Sequence, residues 1–122
     1  MTDEIRLTLP RDREFFRIAH LVVGGLAVRL DLTLEHLEDI QLAIAGLLDE
    51  HDGADAVTIA VRVDGDRLTT RIGPVDGDRV RAELGREEQM GLGRVLATVT
   101  DSVRVDGDEV ELVKTVERGG DR

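Results

Sequence analysis

The chain has 122 residues, a length that fits one domain and excludes a multidomain enzyme. Apolar residues make up 41% of the sequence and charged residues 34%, a globular composition, so we expect the chain to fold on its own. The 26 acidic and 16 basic residues leave a net charge of −10, which disfavours binding to nucleic acid or to an anionic membrane, and the lack of cysteine excludes disulfides, thiolate metal sites and cysteine nucleophiles.

Targeting and membrane segments are not predicted. The first residues have no apolar segment behind a basic one, so we expect no signal peptide. No stretch approaches the roughly 18 apolar residues of a membrane-spanning helix. We therefore expect a cytoplasmic protein with no membrane partner.

The first half of the chain predicts one strand followed by two helices. Apolar and polar residues alternate over residues 4–9, and Pro10 ends this strand. Apolar residues at helical spacing predict a first helix over residues 11–26. A second helix is predicted from residue 34 to about residue 50, with Thr33 as its N-cap.

A hairpin and a charged segment follow. Residues 57–63 and 68–72 alternate on either side of Asp64-Gly65, a dipeptide that favours tight hairpin turns. Residues 79–90 are rich in Arg and Glu and only weakly periodic. We interpret them as a mobile or partly helical connector.

The last part predicts a third helix and a second hairpin. The helix is expected to begin near Gly93, and strands over residues 103–105 and 110–116 follow around a turn at Asp106-Gly107. Strands interrupted by helices predict an α+β two-layer sandwich, with a mixed, mostly antiparallel sheet of about five strands and helices on one face. Residues 1–117 are expected to form one domain, and residues 118–122 a flexible tail.

The tetrapeptide Val-Asp-Gly-Asp occurs three times, and its carboxylates invite comparison with calcium loops. The copies lie at residues 63–66, 75–78 and 105–108. They lack the alternating ligands and closing Glu of such a loop. We interpret them as hairpin turns and as a helix N-cap at Asp76 or Asp78.

Histidine and serine patterns do not support a zinc site or a hydrolase. His20, His36 and His51 lie about fifteen residues apart, without the paired spacing that places two ligands on one helix face. Ser102 is the single serine and lies outside any Gly-x-Ser-x-Gly turn. We therefore predict neither a metal site nor a serine nucleophile.

One glycine cluster, Gly91-Leu92-Gly93, stands at the start of the predicted third helix. Backbone N–H groups at such a place can face a phosphate. A loop that needs glycine in order to turn into the helix has the same sequence pattern. The segment alone does not decide between the two.

Three segments together resemble a known family. Residues 37–45 read LEDIQLAIA, residues 90–96 read MGLGRVL, and residues 100–103 read TDSV. In this order, around two hairpin strands and a charged linker, the chain resembles the histidine-kinase-like ATPase domain of bacterial anti-sigma factors, the serine-protein kinases of partner-switching systems. The resemblance covers about residues 4–117.

The resemblance implies where a nucleotide would bind. In those kinases the second helix carries a Glu general base and, four residues later, an Asn that holds Mg²⁺; the matching positions are Gly46 and Glu50. An adenine-contacting Asp matches a position near Arg71, before Gly73. Without the Glu, position 46 cannot accept a proton from a substrate hydroxyl, although Glu50 could still hold Mg²⁺. A register shifted by one turn would bring Asp49 or Glu50 to the base position.

The site implied by the resemblance is therefore degenerate. We expect no catalytic residue and no metal site, and neither ATP nor Mg²⁺ is an expected cofactor. The vestigial cofactor-binding residues are Glu50, Gly73, Gly91, Leu92 and Gly93.

Two functions from different classes remain after the resemblance is considered. The first is an anti-sigma-factor-like pseudokinase that controls transcription by binding a sigma factor or an anti-anti-sigma protein, through acidic helix residues such as Glu35, Glu38 and Asp39. The second is an active ATP-dependent serine/threonine kinase that phosphorylates an anti-anti-sigma partner. A domain unrelated to transcription is a third possibility. The resemblance also implies a homodimer, and the first strand, near a sheet edge, offers backbone groups for it.

Overall fold

The computed structural model describes residues 3–29, 31–49, 54–86 and 91–116. It confirms the α+β class. In chain order the elements are β1 (Asp3–Pro10), α1 (Arg13–Arg29), α2 (Leu34–Leu48), β2 (Ala56–Asp64), β3 (Arg67–Gly73), α3 (Gly77–Leu84), α4 (Leu92–Val99), β4 (Ser102–Asp106) and β5 (Glu109–Thr115).

The strands form one sheet in the order β1-β2-β3-β5-β4. Every strand pairing in the described residues is antiparallel, so the sheet is not mixed. Gly65 and Gly107 have φ values of +67° and +63°, which the two Asp-Gly turns require and which side chains rarely adopt. The turn chemistry therefore sets the register of both hairpins.

The helices cover one face of the sheet, and the core lies between the two layers. Alternate residues of β2 point to the helices and are buried, among them Val57, Ile59 and Val61. Helix α2 packs between α1 and α4, and α4 also contacts α3. The other face of the sheet is left to solvent, so any site built from the helices lies on the covered side.

The charged connector predicted at residues 79–90 is mostly helical in its first half. Helix α3 begins after Asp76, whose carboxylate accepts the backbone N–H of Arg79, so Asp76 and not Asp78 is the N-cap. Val80 is its buried anchor. The helix starts two residues before the predicted connector. It was not predicted as a helix because a single buried apolar side chain gives the sequence almost no helical periodicity. Residues 87–90, the predicted tail and residue 50 lie outside the described residues.

Candidate functional site

The positions implied by the resemblance meet where the last turns of α2 approach the start of α4. Gly46 lies in α2 and Leu92 is the first residue of α4. A Cβ placed on Gly46 would lie 2.7 Å from Leu92 Cδ1, closer than side chains pack. The side chain of Leu92 therefore occupies the space beside position 46, where the related kinases carry the general base.

The second glycine of the cluster has a packing role. A Cβ on Gly93 would overlap the carbonyl oxygen of Glu83 in α3. Gly93 is buried inside a regular helix, and Gly91 precedes that helix with an ordinary φ of −86°. Gly91, as the N-cap of α4, stands at the turn into the helix, whereas Gly93 lies within the helix. For Gly93 the requirement is the close approach of α3 and α4.

Arg71 does not lie in this site. Strand alternation directs Ile72 toward the helices, where it is fully buried, and Arg71 to the open face of the sheet. There its guanidinium forms an ion pair with Glu4 at 3.1 Å. The residue next to Arg71 that faces the covered side, Ile72, is thus aliphatic, and Arg71 itself does not face the candidate site.

Gly73 ends β3 under the turn between β4 and β5. A Cβ on Gly73 would lie 3.1 Å from the carbonyl oxygen of Asp108, and the N–H of Val75 donates to that same oxygen at 2.8 Å. The carbonyl that Gly73 approaches is therefore already bonded within the chain, and the close approach gives this glycine a structural role.

Arg11 is a site residue that the sequence analysis missed. Its guanidinium donates to the carbonyl of Leu48 at 3.0 Å and to the carbonyl of Pro74, so it joins the end of α2 to the loop after β3. The two acceptors lie 37 and 63 residues away in sequence. A contact of that range leaves no local pattern, and only the fold reveals it.

The carboxylates that the structure describes near the site do not form a cluster of metal ligands. Asp49 is exposed, and its carboxylate pairs with Arg13 of α1 at 3.6 Å. Glu50 lies outside the described residues. Within the described part of the chain, no group of three or more His, Cys, Asp or Glu could hold a metal ion.

The acidic face predicted for α2 is only partly available to a partner. Glu35 and Glu38 are exposed, but the carboxylate of Asp39 pairs with Lys114 of β5 at 3.1 Å. Lys114 Nζ also donates to the carbonyl of Val99 at the end of α4, at 3.0 Å. Asp39 therefore joins the two layers of the fold and is not a free surface charge.

Comparison with known proteins agrees with this architecture. No family model matches the chain. A relative described as serine-protein kinase RsbW, from Halalkalibacterium halodurans, is 29% identical over an alignment 128 positions long, which covers 87% of this chain and 77% of the relative. The resemblance to the serine-protein kinases of partner-switching systems is confirmed by this homology.

A solved structure gives the same fold. The crystal structure of the RsbU and RsbW domains of Rv1364c from Mycobacterium tuberculosis matches 95% of this chain with a TM-score of 0.71 and 16% sequence identity. The chain spans only 32% of that longer protein. The histidine-kinase-like α+β fold is therefore confirmed. In addition, no helix in the described residues is both long and apolar enough to cross a membrane.

Proposed function

We propose that this homologue of the RsbW serine-protein kinases is an anti-sigma-factor-like regulator that acts by binding another protein, without transferring phosphate. One observation supports this most directly. Position 46 is a glycine, so the place of the general base has no side chain that accepts a proton, and Leu92 Cδ1 lies where a Cβ on Gly46 would have to pack, so a larger residue there would require Leu92 to shift.

The surroundings of Leu92 support the same conclusion. Gly93 is packed against the α3 backbone, and Arg11 bonds the loop after β3 to the end of α2. These contacts hold together the elements that would have to separate around a nucleotide. Phosphoryl transfer depends on positioned phosphates and a metal that neutralises them, and the packing described here favours neither.

The proposed partner is a sigma factor or an anti-anti-sigma protein, in transcription control in the cytoplasm. This proposal draws on the homology, and the acidic net charge of −10 suits a basic partner. The chain has no predicted role in direct nucleic-acid binding. A homodimer formed through β1, at the edge of the sheet, is also part of the proposal.

The second candidate function is an active serine/threonine kinase that phosphorylates an anti-anti-sigma partner. It is favoured by the relative in Halalkalibacterium halodurans, which is described as a serine-protein kinase. The two candidates differ in whether ATP binds and whether a partner serine is modified.

Calorimetric titration of the chain with Mg-ATP distinguishes them. We expect no binding heat, because Leu92 and the α3 contact occupy the site. The variant Leu92→Ala removes the side chain that fills it, and Gly46→Glu with Leu92→Ala adds the missing carboxylate as well. A native dissociation constant in the micromolar range would contradict the expected loss of ATP binding, and phosphate transfer to an anti-anti-sigma protein would establish the kinase instead.

A further inference from the structure

Helix α1 carries an apolar stripe that faces solvent. Ile18, Leu21 and Val28 are 42%, 70% and 82% exposed. They are three of the five large apolar residues that are exposed among the described residues. With Gly25 they recur at alternating spacings of three and four residues, which places all four on one side of a helix. We call Ile18, Leu21, Gly25 and Val28 the α1 stripe.

The α1 stripe has the shape of a helix-docking surface. The spacing of its residues is the one by which helices interlock side chains along a shared seam. No heavy atom outside the neighbouring residues and the helix backbone lies within 4 Å of a Cβ placed on Gly25 or on the adjacent Gly24. The middle of the stripe therefore leaves a shallow gap that a large apolar side chain of another helix can fill.

Two arginines flank the α1 stripe, and the exposed Glu14 lies one turn before it on the same face, so the charge around the stripe is net positive although the protein as a whole is acidic. Arg17 and Arg29 are exposed on opposite flanks of the stripe. Neither forms an ion pair with any other residue that the structure describes, although the chain has ten more acidic than basic residues. These two guanidinium groups are thus available to carboxylates from outside.

A second copy of the chain is a less complementary occupant. It would bring four arginines, two from each α1, to one seam, where each α1 supplies a single carboxylate, that of Glu14. An anionic membrane is disfavoured by the net charge of −10. The flanking arginines instead complement a helix with carboxylates on both sides of its apolar face.

We infer that the α1 stripe is the docking surface for an amphipathic helix of a protein partner, with apolar residues along one face and acidic residues on its flanks. This inference rests on the proposed function, since it names a surface and a partner chemistry for a protein-binding regulator. It places this one contact on α1, which carries apolar groups and arginines; the net charge of −10 bears on the charge of the partner as a whole and not on this helix.

Two synthetic helical peptides provide the probe. They share one apolar face with Leu at spacings of three and four residues, and they differ in flanking residues, which are Glu in one and Lys in the other. Fluorescence anisotropy with the full chain should show the Glu peptide binding about tenfold more tightly, as expected for two exposed ion pairs. Equal binding, a preference for the Lys peptide, or no binding would overturn the inference.

Variants of the chain test the position of the contact. Leu21→Asp should abolish binding of the Glu peptide, whereas Leu34→Asp is the matched control, because Leu34 is also 70% exposed but lies at the start of α2. Arg17→Glu with Arg29→Glu should transfer the preference to the Lys peptide. Unchanged thermal melting would show that each variant is folded. If both leucine variants bind normally, the surface is assigned wrongly.

Two further measurements separate the other occupants. If light scattering shows a dimer that Leu21→Asp dissociates, the stripe is a contact between copies. If the native chain sediments with phosphatidylcholine–phosphatidylglycerol vesicles and the Leu21→Asp variant does not, the α1 stripe is a membrane-binding surface. Either the dimer result or the vesicle result would overturn the inference. Binding of a sigma factor that Leu21→Asp leaves unchanged refutes the surface but not the proposed function. Absence of any regulatory partner, with the peptides behaving as expected, refutes the function alone.

Discussion

Gly93 and Gly24 are both helical glycines, but their surroundings differ. A Cβ on Gly93 would overlap the backbone of Glu83, whereas a Cβ on Gly24 would meet nothing within 4 Å. Gly93→Ala should lower the free energy of unfolding by about 1–3 kcal/mol, because α3 and α4 must separate. Gly24→Ala should raise it by about 0.5–1 kcal/mol through helix propensity. Urea denaturation measures both, and a stabilised Gly93→Ala would contradict the packing role of that glycine.

The pKa of Asp101 is lowered by a hydrogen bond to its carboxylate. The backbone N–H of Thr115 donates to its carboxylate at 2.6 Å, and this bond holds the pKa of Asp101 below its ordinary value of 3.8. A carboxyl group whose pKa is lower in the folded state stabilises the fold above the unfolded-state pKa and loses that effect as the pH falls through the folded-state pKa.

The variant Asp101→Asn tests this linkage. At neutral pH the native chain should be the more stable of the two, and the difference should shrink as the pH is lowered past the ordinary Asp range. Thermal melting at a series of pH values gives the difference directly. A difference independent of pH would show that the charge of Asp101 does not contribute.

At the scale of elements, the chain's single lysine joins three of them. Lys114 of β5 bonds Asp39 of α2 and the carbonyl of Val99 in α4, and both charged side chains are largely shielded from solvent, with 15% and 29% of their surface exposed. Removing one partner from such a pair leaves the other poorly solvated. Replacing both by apolar groups is less costly than replacing one.

A double-mutant cycle measures this contact. Lys114→Met should destabilise the fold by about 1–3 kcal/mol, since Asp39 loses its counter-charge. Lys114→Met combined with Asp39→Leu should recover part of that loss. Additive losses in denaturant unfolding would mean that the two side chains do not interact.

The elements were largely predictable from the sequence, and the exception has a physical reason. The strands have strict alternation and Asp-Gly turns, and α2 has a capping Thr33 and a dense apolar face. Helix α3 has a polar surface and one buried valine, so local periodicity could not separate it from a connector. Its stability comes from packing beside α4, which is tertiary information.

The sequence proposes where the candidate site lies but not its geometry. The homologous segments point to the end of α2 and the start of α4, two elements that the fold brings into contact. The contact between Gly46 and Leu92 and the bonds of Arg11 join residues that are distant in sequence. The motif match assigns Arg71 to the candidate site, but Arg71 lies on the open face of the sheet. Strand alternation is the reason, because it puts Arg71 and Ile72 on opposite faces.

At the scale of the whole molecule, β1 leaves one edge of the sheet open. It pairs with β2 on one side and has no described strand on the other. The N–H of Arg11 donates to the carbonyl of Asp55 at 2.9 Å. Along an antiparallel strand the backbone N–H groups point alternately toward and away from the neighbouring strand, so by the register of β1 with β2 those of the odd-numbered residues of β1 face β2. In an antiparallel ladder the N–H groups of Glu4, Arg6 and Thr8 therefore point away from β2, toward any second chain.

A dimer formed through this edge should depend on those outward N–H groups. Light scattering of the native chain should give twice the chain mass of 13.4 kDa. Thr8→Pro removes one outward N–H while the bonds to β2 remain, so it should weaken the dimer. Thr8→Ala is the control, because it loses only the hydroxyl that lies 2.8 Å from that of Thr58. A native monomer at high concentration, or equal dimerisation of both variants, would show that the β1 edge does not join two chains.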